Sequence, residues 1–173
     1  MSSNWVDMST IPGTVGSMDE WLSEREERAW RALQFMQMRL DAALARQLAA
    51  DSGLSYPDYM VLVALTDSTD GTLRQHELSK VLGWEKSRTS HQVGRMEGRG
   101  LVRKVRSDAD RRATLVAVTD KGRSELAAAA PGHVGAVRRL FIDQLTEEQI
   151  EVIADAAETV LAAFDDPAPP ASS

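Results

Sequence analysis

The segment from about residue 72 to residue 119 combines two short helices, a glycine turn and two strands in an order that few folds accommodate. Leu78, Val81 and Leu82 have helical spacing, Gly83 stops that helix, and a second helix is predicted over about residues 85–99. Residues 101–106 and 114–119 then read as a basic strand and a return strand around a polar tip. Two helices joined by a tight glycine turn are typical of a helix-turn-helix, and the strand pair behind them predicts a wing.

Charge is concentrated in the same segment. The whole chain of 173 residues carries a net charge of −6. Residues 74–112 contain eleven basic and five acidic side chains, a net charge of +6, which leaves −12 for the rest of the chain. A basic segment inside an acidic remainder is typical of a surface that meets phosphate. The alternative is a solvated basic face with no partner, as most charge runs are.

The regions on both sides of the winged segment are predicted to be helical. Ser17 and Glu20 have capping-box spacing and begin a helix that runs to about residue 50. Such a helix is about 50 Å long, more than a small domain needs, so we expect part of its apolar stripe to pack on a second subunit. A second capping box, Ser55 with Asp58, begins the next helix.

The C-terminal region is alanine-rich and predicted to be helical. Pro131 and Gly132 are expected to interrupt its first helix, and a third capping box, Thr146 with Gln149, begins the last one. The predicted fold class is therefore mainly α with a small β wing: a winged helix-turn-helix plus a helical dimerisation scaffold from both chain ends. The predicted parts are a flexible N-terminal arm (1–16), a dimerisation helix (17–52), the winged helix-turn-helix (53–119), dimerisation helices (120–165) and a disordered tail (166–173).

Several classes of protein are disfavoured by composition. With no cysteine, the chain has no disulfide, thiolate metal site or cysteine nucleophile. We find no glycine-rich phosphate loop, no paired metal ligands and no nucleophile motif, so we expect no enzyme, no cofactor and no metal. The apolar runs are too short for a membrane helix and no secretory leader is recognised, so we expect a cytoplasmic protein.

The helical periodicity of the second helix predicts which of its side chains face outward. If Thr89, Val93 and Met96 point to the core, then at about 100° per residue the opposite side is polar and partly basic. A helix that enters a DNA groove needs such a face, without bulky apolar side chains. The candidates for base contact are Ser87, Arg88, Ser90, His91 and Arg95, and those for phosphate contact are Lys86, Arg103, Lys104 and Arg106.

These residues resemble the MarR family of bacterial winged-helix transcription regulators over about residues 30–164. The specific part runs from Met96 to Lys104 (Met-Glu-Gly-Arg-Gly-Leu-Val-Arg-Lys). It is followed, at the family's spacing, by Asp110 to Gly122 (Asp-Arg-Arg-Ala-Thr-Leu-Val-Ala-Val-Thr-Asp-Lys-Gly). The sequence departs from the family pattern at Thr89 and Gly98, where an apolar and a longer residue are more common.

The resemblance implies a homodimer that binds double-stranded DNA at a pseudo-palindromic operator. It places the recognition helix in the major groove, and Arg112, beside Arg111 at the wing tip, in the minor groove. Asp110 matches the aspartate that supports the wing. A repressor is the predicted activity, with activation as the alternative, and the rival class is a winged helix used only for protein–protein contact.

An effector pocket is a further hypothesis. Trp21, Trp30, Met36 and Tyr59 are its candidate lining, with Met38 nearby on the first helix, and the resemblance suggests that a small aromatic ligand there relieves repression. The alternative is that these side chains belong to the core. His76 and His133 are interpreted as surface or capping residues.

Overall fold

The computed structural model describes residues 21–106 and 114–165, and it confirms the predicted fold class. In chain order the elements are α1 (Glu24–Asp51), α2 (Tyr56–Thr66), β1 (Thr72–Arg74), α3 (Gln75–Leu82), α4 (Lys86–Gly98), β2 (Val102–Arg106), β3 (Thr114–Val118), α5 (Asp120–Leu140) and α6 (Glu147–Asp165). A short 3₁₀ turn, Ile142–Gln144, lies between α5 and α6. The predicted arm (1–16), the tail (166–173) and the wing tip with Asp110, Arg111 and Arg112 lie outside the described residues.

The chain divides within α1 into two compact units, residues 1–39 and residues 40–173. In the first unit, α1 begins at Glu24, where the Ser23 backbone N–H donates to the Glu26 carboxylate over 2.8 Å. The prediction of a helix running from Ser17 is wrong, because residues 21–23 are not helical. Ser17 and Glu20 themselves lie outside the described residues. The predicted dimerisation role of 17–52 stays a prediction.

The second unit contains the winged helix-turn-helix. α2 begins at the predicted capping box: the Ser55 N–H donates to Asp58 over 2.9 Å, and the Asp58 N–H donates to the Ser55 hydroxyl over 3.2 Å. α3 ends at Gly83, whose φ of 62° places it in the left-handed region that glycine adopts without strain. The turn that follows leads directly into α4, as the sequence predicts.

The wing strands form a three-stranded antiparallel sheet with the order β1-β3-β2. Leu73 pairs with Val116, and Lys104 pairs with the same residue from the other side. The sheet and α2–α4 share one core of fully buried side chains, which includes Leu48, Leu54, Leu62, Leu65, Leu78, Val93, Met96, Leu101 and Val116. The predicted core positions on α4, Thr89, Val93 and Met96, are all fully buried.

Thr89, one of the departures from the family pattern, has a polar partner inside this core. Its hydroxyl lies 3.0 Å from the hydroxyl of Ser79 on α3 and 3.2 Å from the carbonyl of Glu85. Thr89 therefore accepts from Ser79 and donates to Glu85 where α3 packs on α4, so its buried hydroxyl is hydrogen-bonded. At Gly98, the other departure, no atom lies within 4 Å of where a Cβ would be, so no neighbour packs against that position.

α5 is continuous through Pro131, so the predicted interruption is wrong. Ala129, His133 and Ala136 are buried on one side of α5, at the i, i+4, i+7 spacing of a single helix face. A break at Pro131 would move these side chains off a common helix face. Their packing against the rest of the unit therefore outweighs the destabilising effect of a proline inside the helix. His133 is also buried, at 9% exposure, rather than a surface residue as interpreted from the sequence.

α6 begins at the predicted third capping box, in which the Thr146 N–H donates to Gln149 over 2.9 Å. Every described side chain from Glu151 to Phe164 is exposed. The exposed set includes Val152, Ile153, Val160, Leu161 and Phe164. Over the ranges that the structure describes, no helix has the length and apolar character needed to cross a membrane.

Candidate nucleic-acid interface

The polar side chains on the outward face of α4 are exposed. Lys86, Ser87, Arg88, Ser90, His91 and Arg95 are exposed, and Thr89, Gln92, Val93 and Met96 are buried on the opposite side. This arrangement is the one that the 100° periodicity predicts, except that Gln92 joins the buried side. The face is therefore polar, carries three cationic side chains and has no apolar residue that would hold its backbone away from a groove.

The two arginines of this face are both held by other side chains. The Arg88 guanidinium lies over the ring of Trp84, 4.3 Å from its centroid, which is the geometry of a cation–π contact. Arg95 donates from Nη2 to the Oε1 of Gln92. Both contacts restrict long, flexible side chains before any ligand is present.

β2 adds further basic groups. Arg103 and Lys104 are exposed, and β2 packs against α4. The Lys104 Nζ lies 3.1 Å from the Glu97 carboxylate, which also accepts the Lys104 backbone N–H over 3.0 Å. These hydrogen bonds from the Lys104 backbone and side chain lower the pKa of Glu97 below its ordinary value. Arg106 ends β2, but its side chain lies outside the described part of the structure.

Asp58 joins α2 to α4 and was missed as an interface-supporting residue. It is 3% exposed, and its Oδ1 accepts from Gln92 Nε2 over 2.6 Å. Its Oδ2 accepts from Arg99 Nη1 over 2.6 Å as well as from the Ser55 N–H. Burial alone would raise the pKa of Asp58, but the hydrogen bonds from Ser55 and Arg99 outweigh it and hold the pKa below its ordinary value.

Asp58→Asn is expected to remove an acid-sensitive part of the stability. Because the Asp58 pKa is lower in the folded than in the unfolded chain, its contribution is complete well above 3.8, the ordinary value, and is lost as pH falls through that value towards the folded pKa. We expect the variant to lose about 2 kcal/mol at pH 7, since a buried charged acceptor and its Arg99 partner are both affected. Urea unfolding at pH 7, 5, 4 and 3 measures this.

The difference in stability between wild type and Asp58→Asn should shrink as the pH falls from 5 to 3. A difference that stays constant over that range would contradict the ionised, hydrogen-bonded carboxylate. Ser79→Ala serves as a control, because it removes hydrogen bonds between neutral groups, to the Thr89 hydroxyl and the Gln75 carbonyl, in the same unit and leaves the Asp58 contacts in place.

The residues of the effector hypothesis lie in both units and are described within each. In the first unit, Trp21, Trp30, Met36 and Met38 are all exposed, so none of them belongs to a core within the described part of that unit. In the second unit, the buried Tyr59 has its ring 4.3 Å from that of His133. Burial raises the pKa of Tyr59 and lowers that of His133, so both groups favour their neutral forms. The pocket stays a prediction.

The described side chains also bear on metal binding. Within residues 21–106 and 114–165, no three histidine or acidic side chains are grouped so that they could hold a metal ion.

Comparison with known proteins decides the family. The model of the MarR family matches residues 52–113, a range that includes the helices α2, α3 and α4 and the strands β1 and β2. The transcriptional regulator HosA of Escherichia coli O127:H6 is 34% identical over 100 residues, which cover 57% of this chain and 71% of HosA. The chain belongs to the MarR family.

Two solved MarR-family structures from Streptomyces coelicolor agree with the fold. AbsC is 34% identical, with a TM-score of 0.79 over 84% of this chain and 98% of AbsC. Sco3205, solved in complex with DNA, is 35% identical, with a TM-score of 0.80 over 88% of this chain and 96% of Sco3205. This MarR-family chain is a transcriptional regulator with a DNA-binding winged helix.

Proposed function

We propose that this MarR-family regulator is a homodimeric cytoplasmic repressor that binds an inverted-repeat operator, and that it is not an enzyme. The exposed polar face of α4 carries the proposal. It presents Arg88 and Arg95 opposite a fully buried face, so the helix backbone can approach base edges while the core remains intact. Sco3205, which is 35% identical, was solved in complex with DNA, and this supports DNA binding by the present chain.

The contacts divide by chemistry. Arg88 and Arg95 read guanine through bidentate hydrogen bonds, and Ser87, Ser90 and His91 contact neighbouring base edges. Lys86, Arg103, Lys104 and Arg106 contact phosphates, which supply most of the affinity and its salt dependence. At the wing tip, outside the described residues, Arg112 enters the minor groove beside Arg111, and Asp110 supports the tip.

Dimerisation through the helical ends sets the symmetry of the operator. The apolar residues on α6, including Val160, Leu161 and Phe164, are exposed in the single chain, although burying such side chains is favourable. A second copy that covers α6 makes a two-fold dimer. A two-fold dimer requires two inverted half-sites, with centres about one helical turn of DNA, roughly 34 Å, apart.

Selection of bound fragments from the source genome tests this function. At moderate salt, the wild-type protein should enrich an inverted repeat in a promoter region, and Arg88→Ala should weaken binding to that repeat by about tenfold or more while leaving helicity unchanged. Reporter expression should rise when the protein is deleted, as repression requires. Binding without any inverted-repeat enrichment would instead favour a winged helix that contacts only other proteins.

Glu97→Gln is expected to strengthen non-specific DNA binding. The Glu97 carboxylate on α4 pairs with Lys104 and competes with DNA phosphate for that lysine, so its removal strengthens the phosphate contact of Lys104 and raises the positive charge of the interface by one. We expect the affinity for random duplex DNA at low salt to rise by about fivefold, and the slope of log affinity against log salt to steepen by about one. Fluorescence anisotropy over a salt series measures both quantities.

Asp143→Asn is the matched control for this charge change. Asp143 pairs with Arg138 over 3.3 Å, and this pair lies on the 3₁₀ turn and α5 rather than on α4 or β2. The control also removes one negative charge, so it should leave the salt slope unchanged. An equal gain in both variants would show that net charge alone, rather than Lys104, controls binding.

We also propose that a small aromatic ligand relieves repression by favouring one dimer geometry over another. The exposed Trp21, Trp30 and Met36 of the first unit offer aromatic and apolar surface that supports such a ligand class. A panel of aromatic carboxylates and phenols should raise the melting temperature and weaken operator binding. Ligands that do neither at millimolar concentration would remove this part of the proposal.

A further inference from the structure

The exposed Arg95 of α4 is tied to a buried residue of its own helix. Its Nη2 donates to the Oε1 of Gln92, three residues earlier. Gln92 is 3% exposed and belongs to the buried side of α4, although a glutamine there must find partners for its amide. Arg95 is thus the outer end of a hydrogen-bonded connection that begins in the interior.

Asp58 determines which way the Gln92 amide points. The Gln92 Nε2 donates to Asp58 Oδ1 over 2.6 Å. An ionised carboxylate only accepts hydrogen bonds, so the amide nitrogen must face Asp58 and the amide oxygen must face away from it. The oxygen is then the acceptor that Arg95 meets, and a flipped amide would present N–H groups to the guanidinium instead.

The carboxylate that imposes this orientation is itself held in place. The Oδ2 of Asp58 accepts from the Ser55 N–H at the start of α2 and from Arg99 Nη1 near the end of α4. The Arg99 Nη2 also lies 3.3 Å from the carbonyl of Gly53. Asp58 is therefore fixed by the start of α2, and the direction of its Oδ1 towards Gln92 is fixed with it.

We propose that the Asp58–Gln92 pair is a positioning device that holds Arg95 to read one guanine in the operator. This inference rests on the proposed function. A guanidinium has five N–H donors, and the bond to Gln92 uses one, so a two-pronged contact with guanine remains available. Holding the side chain in advance lowers the conformational entropy lost on binding, which is large for arginine.

Gln92→Met tests the proposal, because methionine has nearly the same length but cannot accept from Arg95 as the amide oxygen does. Discrimination at each position of the operator is measured by competition. The selected operator competes for the protein with versions in which one base pair is changed. At one guanine, Gln92→Met should lose about tenfold in discrimination, as Arg95→Ala does, and the double variant should lose no more. The salt slope should stay unchanged, because no phosphate contact is removed.

Ser79→Ala is the matched control. It breaks the hydrogen bond from Ser79 to Thr89 on the buried side of α4 and leaves the contacts of Asp58, Gln92 and Arg95 in place, so it should lower stability and keep discrimination. Equal loss of discrimination in Ser79→Ala and Gln92→Met would show a merely structural role and overturn the proposal. Full discrimination in Gln92→Met, when Arg95→Ala has lost it, would also overturn the proposal.

A measurement on the wild type covers the case in which Gln92→Met does not fold. Nitrogen-15 relaxation of the arginine side chains should show slower motion for the Arg95 guanidinium than for that of the exposed Arg103, and equal mobility would overturn the proposal. A wild-type protein that binds every sequence equally would contradict the proposed function itself. That result differs from a failure of the positioning role alone, in which the wild type stays selective.

Discussion

Gly122→Ala is expected to lower the free energy of unfolding of the second unit by about 3 kcal/mol, because the added methyl group meets a fixed backbone atom. A Cβ on Gly122 would lie 2.2 Å from the Leu101 carbonyl oxygen and 3.0 Å from Val118 Cγ2. The Leu101 oxygen cannot easily retreat, since it accepts from the Thr119 N–H over 3.2 Å and from the Thr119 hydroxyl over 3.0 Å. Relief would require β2 and the start of α5 to separate.

Gly135→Ala is the matched control on the same helix. No atom lies within 4 Å of a Cβ at Gly135, which is exposed, so the change should stabilise α5 by about 0.5–1 kcal/mol. Urea unfolding at 25 °C, with the two variants and the wild type in parallel, measures both effects. If Gly122→Ala proved as stable as Gly135→Ala, this result would contradict the close contact between the start of α5 and Leu101.

Gly122 also shows what a motif does not explain by itself. Gly122 is the last residue of the stretch that resembles the MarR family, but its position in that motif does not explain why a glycine is needed there. The reason is a contact with Leu101, twenty-one residues earlier in the chain. Its conformation gives no reason either, because the φ of Gly122 lies outside the positive region.

Features set by neighbouring residues were predictable. The caps at Ser55 and Thr146 and the turn at Gly83 depend on side chains within three or four residues, and the structure confirms them. The start of α1 was not predictable, because two nearby stretches, Ser17-Met-Asp-Glu and Ser23-Glu-Arg-Glu, have the same capping-box spacing. The structure begins the helix after the second of these.

The candidate interface was predictable as a surface but not as a set of contacts. Periodicity assigns the outward face of α4, whereas Asp58 and Gln92 are 34 residues apart in the chain and Asp58 and Arg99 are 41 apart. One signal was available. Thr89, Gln92, Val93 and Met96 occupy the i, i+3, i+4, i+7 stripe of a buried face, and a glutamine on such a stripe needs a buried partner.

Leu161→Glu is expected to produce a monomer and to weaken operator binding by about a hundredfold or more. Leu161 is 60% exposed in the single chain, so the monomer has little packing to lose, but the proposed dimer would have to bury a charge on α6. Two linked winged helices bind two half-sites with the second contact made at high effective concentration, and a monomer loses that advantage. Light scattering should give a mass near 19.0 kDa for the variant and twice that for the wild type.

Thr159→Glu provides the matched control, since it adds the same charge about 160° around the helix from Leu161. It should remain a dimer and keep operator affinity, whereas Leu161→Glu should bind only a single half-site weakly, with a shallower salt slope because half of the phosphate contacts are lost. If Leu161→Glu stays a dimer, α6 is not the covered surface. If it becomes a monomer that still binds the full operator as tightly as the wild type, then recognition does not depend on two-fold symmetry, and the inverted repeat loses its physical basis.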